Sequence, residues 1–257
     1  MSNGFNARAV AATIALSVGA RAFPRDVEFA ALALPVHIEH VKDLTPYKVD
    51  KWLSTRLAWD NPSSRDNRRI RGCLVAHRGH AVIFVEANES EDERRFTLAH
   101  ELAHFVGHYL AVRERAVARF GPSIVAVLDG ERPPTPAERL SGVLLRNPLG
   151  IFRDVLDRDG TEPLTDTAER MEIEADTAAF LALAPPTEVV SRCDAVHKNR
   201  NRDCLLQTLR VEFGLAPRDA FCHLPVVLKA IRSQTPSLVE SLRDAAAASE
   251  KGPARSI

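Results

Sequence analysis

Apolar residues recur along the chain with two periods, and each change of period marks an element. Ala7, Val10, Ala11, Ile14 and Val18 fall three and four apart, which predicts an amphipathic helix. Pro24 and Asp26 open a second, shorter helix through Val27-Glu28-Phe29-Ala30-Ala31-Leu32. After Pro35 the alternation Val36-His37-Ile38-Glu39-His40-Val41 predicts a strand. A stretch with two tryptophans and the polar run 61–69, read as a surface loop, leads to two apolar runs, 73–76 and 81–85. The link His77-Arg78-Gly79-His80 between these runs carries the glycine of a hairpin. Acidic residues 89–93 then start a helix over about 91–110, and a second strong helix follows over about 166–184. Between them, Gly121-Pro122, Pro133-Pro134, Pro136, Asn147-Pro148 and Asp159-Gly160 cut the chain into short helices and loops. Beyond Pro185-Pro186 the pattern is helical again until a frayed tail. The expected class is α+β, a small sheet packed on a helix. The expected division is a domain over 1–190 with an insertion at about 111–165, then a mostly helical region over 191–257.

Composition narrows the function without choosing one. Lys and Arg number 34 and Asp and Glu 34 in 257 residues, so no long-range field holds the chain to a polyanion or an anionic membrane. Four cysteines in so long a chain read as reduced thiols in a cytoplasm. Arg8, the apolar run 10–20 and Ala20-Arg21-Ala22 imitate a secretory signal, but Thr13, Ser17 and Gly19 interrupt the run, and its apolar residues keep the helical spacing given above. No stretch has the roughly 18 consecutive apolar residues of a membrane span.

Candidate chemistry concentrates in His100-Glu101-Leu102-Ala103-His104. Histidines at i and i+4 stand about 40° apart around a helix and about 6 Å apart along it, so both rings converge on one ion. A catalytic zinc takes three protein ligands, and Glu101, adjacent to the first histidine, is placed to act as general base. A strand-like segment ending near Glu86 precedes this helix, an order that would set a sheet edge beside it for an extended substrate.

The third ligand must come from elsewhere. Gly107 matches one longer histidine motif, but Leu110 stands where that motif needs its third histidine. His108 lies a further turn on; three histidines along a straight helix span about 12 Å, which assigns His108 to packing or to support of a ligand. The later helix offers Glu169, Glu172 and Glu174. Glu172 is preferred because Asp176, one turn on, can accept a hydrogen bond from the far nitrogen of a ligating histidine.

Residues 95–104 with His108, and residues 172–185 with their glutamate, alanine-rich helix and closing proline, closely resemble the two motifs of the ImmA/IrrE family of zinc metallopeptidases. The resemblance covers roughly residues 5–187. It implies a zincin-like domain holding one Zn2+ on His100, His104 and Glu172, with Glu101 as catalytic acid/base. It further implies a cytoplasmic endopeptidase whose substrate is a helix-turn-helix, XRE-like repressor, and whose action switches on stress, mobile-element or defence genes. The chain departs from the pattern in the 68 positions between His104 and Glu172, in Ala178 and Ala184, and in Asp176 where asparagine is common.

Alternative readings are a zinc-braced module that binds a repressor without cutting it, and a toxin-like partner of an antitoxin. Cys193, His197, Cys204 and Cys222-His223 lack the paired spacing of a second zinc site, and no spacing places a thiolate on the first. The basic run 197–202, in a region with 11 Lys and Arg against 7 Asp and Glu, offers a place for a nucleic-acid effector. It lacks interleaved aromatics for base stacking, and a solvated turn accounts for it as well.

Overall fold

The computed structural model describes residues 5–17, 23–57, 66–140, 149–157, 165–196 and 201–234. The possible signal cleavage point at 20–22, most of the basic run at 197–202 and the tail lie outside them. Helices α1 (Ala7–Ser17) and α2 (Val27–Ala31) lead into β1 (Val36–Val41) and α3 (Pro46–Leu57). The hairpin β2 (Ile70–His77) and β3 (His80–Glu86) then precedes α4 (Glu91–Ala103). Arg78 and Gly79 have φ of 50° and 82°, the left-handed pair that a two-residue hairpin turn requires. Ser90 caps α4: its side chain accepts from Glu93 N while the Glu93 carboxylate takes the Ser90 amide, and Glu91 and Asp92 add acid to the first turn.

From His104 the helix widens into a π-helical segment, His104–Leu110, before α5 (Ala111–Phe120). The 91–110 helix is thus one rod, with a wider turn at the second histidine, a departure that often accompanies functional sites. After short helices α6 (Val125–Leu128) and α7 (Pro136–Leu140), strand β4 (Phe152–Asp157) joins the sheet. Helices α8 (Asp166–Leu183), α9 (Pro186–Val196), α10 (Arg202–Val211) and α11 (Pro217–Gln234) complete the described chain.

The sheet order is β1-β3-β2-β4, with β1 parallel to β3 and the other pairs antiparallel. Two expectations change here. The strand ending at Glu86 is interior, flanked by β1 and β2, so the edges belong to β1 and β4. The region expected to hold only short helices and loops contributes β4, which pairs with β2 through Phe152 opposite Ala76 and Asp154 opposite Leu74. Its sequence, Phe152-Arg153-Asp154-Val155-Leu156-Asp157, escapes a period-2 reading because an acid occupies the middle of its apolar side.

One face of the sheet is closed by α3 through Leu44, Val49, Leu53, Cys73 and Phe84. The other face carries the main core. There α4 and α8 pack against Leu74, Ile83 and Val85, and Leu205, Leu209 and Leu224 from α10 and α11 enter the same apolar cluster. The fold is α+β, with a small mixed sheet, the helix of His100 and His104 beneath it and a helical C-terminal region.

Candidate metal centre

Three elements deliver ionisable side chains to one point under the sheet. His100 from α4 and His104 from the start of the π-helical segment are both fully buried. Their Nε2 atoms lie 3.1 Å apart. Glu172, on the second turn of α8, places Oε2 3.3 Å from His100 Nε2 and Oε1 3.4 Å from His104 Nε2. Asp154 of β4 brings Oδ2 to 3.5 Å from His104 Nε2. One potential ligand atom from each of these four residues lies within 4.8 Å of the others. Sequence reasoning missed Asp154. Its only signal was a carboxylate two residues from Phe152 on one side and Leu156 on the other, an acid on the inward face of a strand.

The surrounding hydrogen bonds orient the rings. Asp176, one turn beyond Glu172, lies 2.9 Å from His100 Nδ1. A proton on Nδ1 donated to that carboxylate leaves Nε2 as a lone-pair donor toward the cluster, the arrangement that fixes a ligating imidazole. His108 stands outside the cluster. Its Nδ1 lies 3.1 Å from His104 Nδ1, its Nε2 3.0 Å from Glu174 Oε2, and its ring is stacked on Phe5 at 4.5 Å. Glu174, one of the carboxylates weighed as a ligand, thus holds His108, while Glu169 is exposed.

Glu101 is fully buried, and neither carboxylate oxygen has a hydrogen-bond partner among the described residues. Strand β2 passes directly over it: a Cβ at Gly72 would lie 2.6 Å from Glu101 Oε1, so a glycine is needed there. Burial, and then the neighbouring Asp154 charge, push the Glu101 carboxyl well above the usual range. Burial likewise raises Asp154. Burial opposes the charged form of Glu172 too, but the hydrogen bonds to His100 and His104 outweigh it and hold this carboxyl low. His100 is pushed up despite its burial, by Asp176 and Glu172. His108 is pulled down to about 3 by burial and the adjacent His104.

Asp154 Oδ2 also lacks a hydrogen-bond partner among the described residues. Carboxylates and imidazoles converging in a buried place with unpaired oxygens are costly unless a cation joins them. The nitrogen and oxygen donor set suits zinc, so these residues fit the metal that the sequence motif implies.

No cysteine belongs to this ligand group among the described residues. Cys73 faces the α3 side of the sheet, where burial pushes its thiol far up. Cys193 is buried in the main core, no disulfide joins the four cysteines, and His223 lies 2.8 Å from the Ala184 carbonyl. Tyr109 Oη accepts a hydrogen bond from Gly79 N at the hairpin turn.

Residues 58–123 match the model of the IrrE N-terminal-like domain, a peptidase family. The match spans about a quarter of the chain and agrees with the resemblance carried by its histidine motif. The matched segment contains His100, Glu101, His104 and His108 and ends before β4 and α8, so the case for Glu172, Asp176 and Asp154 is geometric. No curated protein matches this chain. No described helix is long and apolar enough to cross a membrane.

Proposed function

We propose that the chain is a zinc-dependent endopeptidase of the cytoplasm, and that its substrate is a helix-turn-helix repressor whose cleavage induces stress, mobile-element or defence genes. The observation that carries the peptidase reading is the convergence of His100, His104 and Glu172 beside a buried, unpaired Glu101. A site that only braced a fold would have no use for an unpaired carboxyl next to the ligands. The match of residues 58–123 to a peptidase family's domain supports peptide-bond hydrolysis, and the repressor substrate rests on the family resemblance.

His100, His104 and Glu172 would hold the ion, with Asp176 fixing the His100 tautomer through Nδ1. Bound there, zinc supplies Lewis acidity toward water and a peptide carbonyl. Glu101 carries the proton. Its raised affinity for a proton lets one carboxylate oxygen take it from the attacking water and pass it to the leaving amine. The roof of β2 at Gly72 keeps bulk solvent from that carboxyl.

The test is incubation of zinc-loaded protein with the repressor-like product of a neighbouring gene, comparing wild type with Glu101→Ala. Two fragments from the wild type and none from the variant, at equal zinc content, is the expected result. Binding of the repressor without cleavage by the wild type would sink the peptidase reading.

A further inference from the structure

Strand β4 lies where a peptide substrate should lie. The Gly72 contact fixes β2 directly above Glu101. Neighbouring strands run about 4.8 Å apart, so the next lane beyond β2 on its open side passes over the histidine cluster. An extended peptide pairing with β2 in that lane would present its backbone to the ligands. The chain fills the lane itself: β4 runs antiparallel to β2 with Asp154 opposite Leu74, and Asp154 Oδ2 enters the ligand group at 3.5 Å from His104 Nε2.

Two further features mark Asp154 as more than a sheet residue. His100, His104 and Glu172 already make the three-ligand set of a catalytic zinc, whose fourth position stays open for reactants. A fourth protein carboxylate would fill that position. Moreover, Asp154 turns a carboxylate inward between Phe152 and Leu156, and its Oδ2 has no hydrogen-bond partner among the described residues, a placement that destabilises the strand unless a cation is there. What holds β4 is at its flanks: Arg153 to Asp50 at 2.7 Å, Arg68 to Asp157 at 3.4 Å, and the buried Phe152 ring. An edge strand with one ladder is also the least costly strand to peel away.

We propose that the β2 edge covered by β4 is the peptide-binding edge of the enzyme, and that β4 is its internal occupant, with Asp154 completing a closed, latent ligand set. The inference rests on the metallopeptidase reading. A substrate segment, extended and antiparallel to β2, replaces β4, and departure of Asp154 opens the fourth position.

Cobalt(II) substitution tests this without relying on turnover. The visible absorption of the cobalt protein reports the ligand set, and a leucine-based peptidyl hydroxamate reports an open position beside a free edge. Asp154→Ala is expected to alter the wild-type cobalt spectrum and to tighten hydroxamate binding by about tenfold or more, the gain when an open form that is a minor population becomes the only one. Asp154→Asn, which keeps the side-chain volume, should move both readouts in the same direction.

Val155→Cys, opposite Cys73 on the far face of the sheet, supplies a lock. Its oxidised form should bind the hydroxamate more weakly than its reduced form. An unchanged cobalt spectrum and hydroxamate affinity in both Asp154 variants, or equal affinity in the locked and reduced forms, would overturn the assignment of β4. Failure of the folded wild type to bind cobalt at all would instead bring down the metal reading beneath it, and cobalt binding abolished by His104→Ala separates the two failures.

Discussion

Helix α8 meets several buried histidines along its length, and two of them, His100 and His223, differ most in what surrounds the ring. At Glu172 and Asp176 it faces His100, with carboxylates at 3.3 Å from Nε2 and 2.9 Å from Nδ1. Two turns on it faces His223, whose ring stacks on Phe180 at 4.8 Å and whose Nε2 donates to the Ala184 carbonyl. Both rings are completely buried. Yet carboxylates push His100 toward the protonated form, while burial pulls His223 down to about 4. Burial of a histidine therefore does not identify a site; the uncompensated negative charge around it does. The first place is built to hold a cation and the second to exclude one.

The strongest way to break this contrast is to remove one ring from each place. His104→Ala is expected to weaken zinc binding by more than about a hundredfold, since even the groups that merely support a ligand are worth 10–100-fold. His223→Leu should leave zinc stoichiometry and affinity unchanged in isothermal titration and lower stability instead, because the Ala184 carbonyl loses its donor. Equal loss of zinc in the two variants would erase the distinction.

Acid sharpens the contrast next. A histidine held at about 4 when folded and about 6.5 when unfolded binds fewer protons in the native state between those values. Stability is therefore whole above about pH 6.5 and lost as pH falls toward 4, by about 3 kcal/mol for this group. Denaturant titrations from pH 7 to 4 should show a correspondingly smaller loss in His223→Leu than in wild type. A slope identical in both would mean that His223 is not the group being titrated.

Asp176→Ala probes the first place more gently. Removing the acceptor from His100 Nδ1 frees the ring to rotate and lets the wrong tautomer compete, so zinc affinity should fall about 10–100-fold with little change in melting temperature. Asp176→Asn should recover part of it, because its side-chain carbonyl can still accept from Nδ1.

Much of the first place was legible in the sequence because helices announce themselves by period. The i, i+4 histidines and the Glu172, Asp176 pair each lie on one helical face, and α4 and α8 fall where the apolar spacing put them. The hairpin was legible from Gly79. Asp154 was not, because a strand is recognised by alternation, and the residue that makes β4 interesting is the one that spoils its alternation. Nor did sequence say what His223 does: its spacing from the cysteines argued against a second zinc site, and only the fold turns the ring toward a carbonyl. The widening at His104 was likewise silent, since residues 95–110 contain no proline and only one glycine.

That glycine, Gly107, leads to a third histidine that stands between the two kinds. His108 has an acid at 3.0 Å, like His100, and an aromatic ring stacked on it, like His223. A Cβ at Gly107 would collide with the Phe5 ring that makes the stack. Gly107→Ala gains about 1 kcal/mol of helix propensity and pays about 1–3 kcal/mol for overpacking, so a net loss of about 1 kcal/mol is expected. If the stack on Phe5 governs His108, that loss appears as a melting temperature lowered by a few degrees, with zinc affinity within about threefold of wild type. A variant that instead kept its melting temperature and lost zinc tenfold would move His108 to the side of His100, making the line Glu174–His108–His104 part of the metal centre.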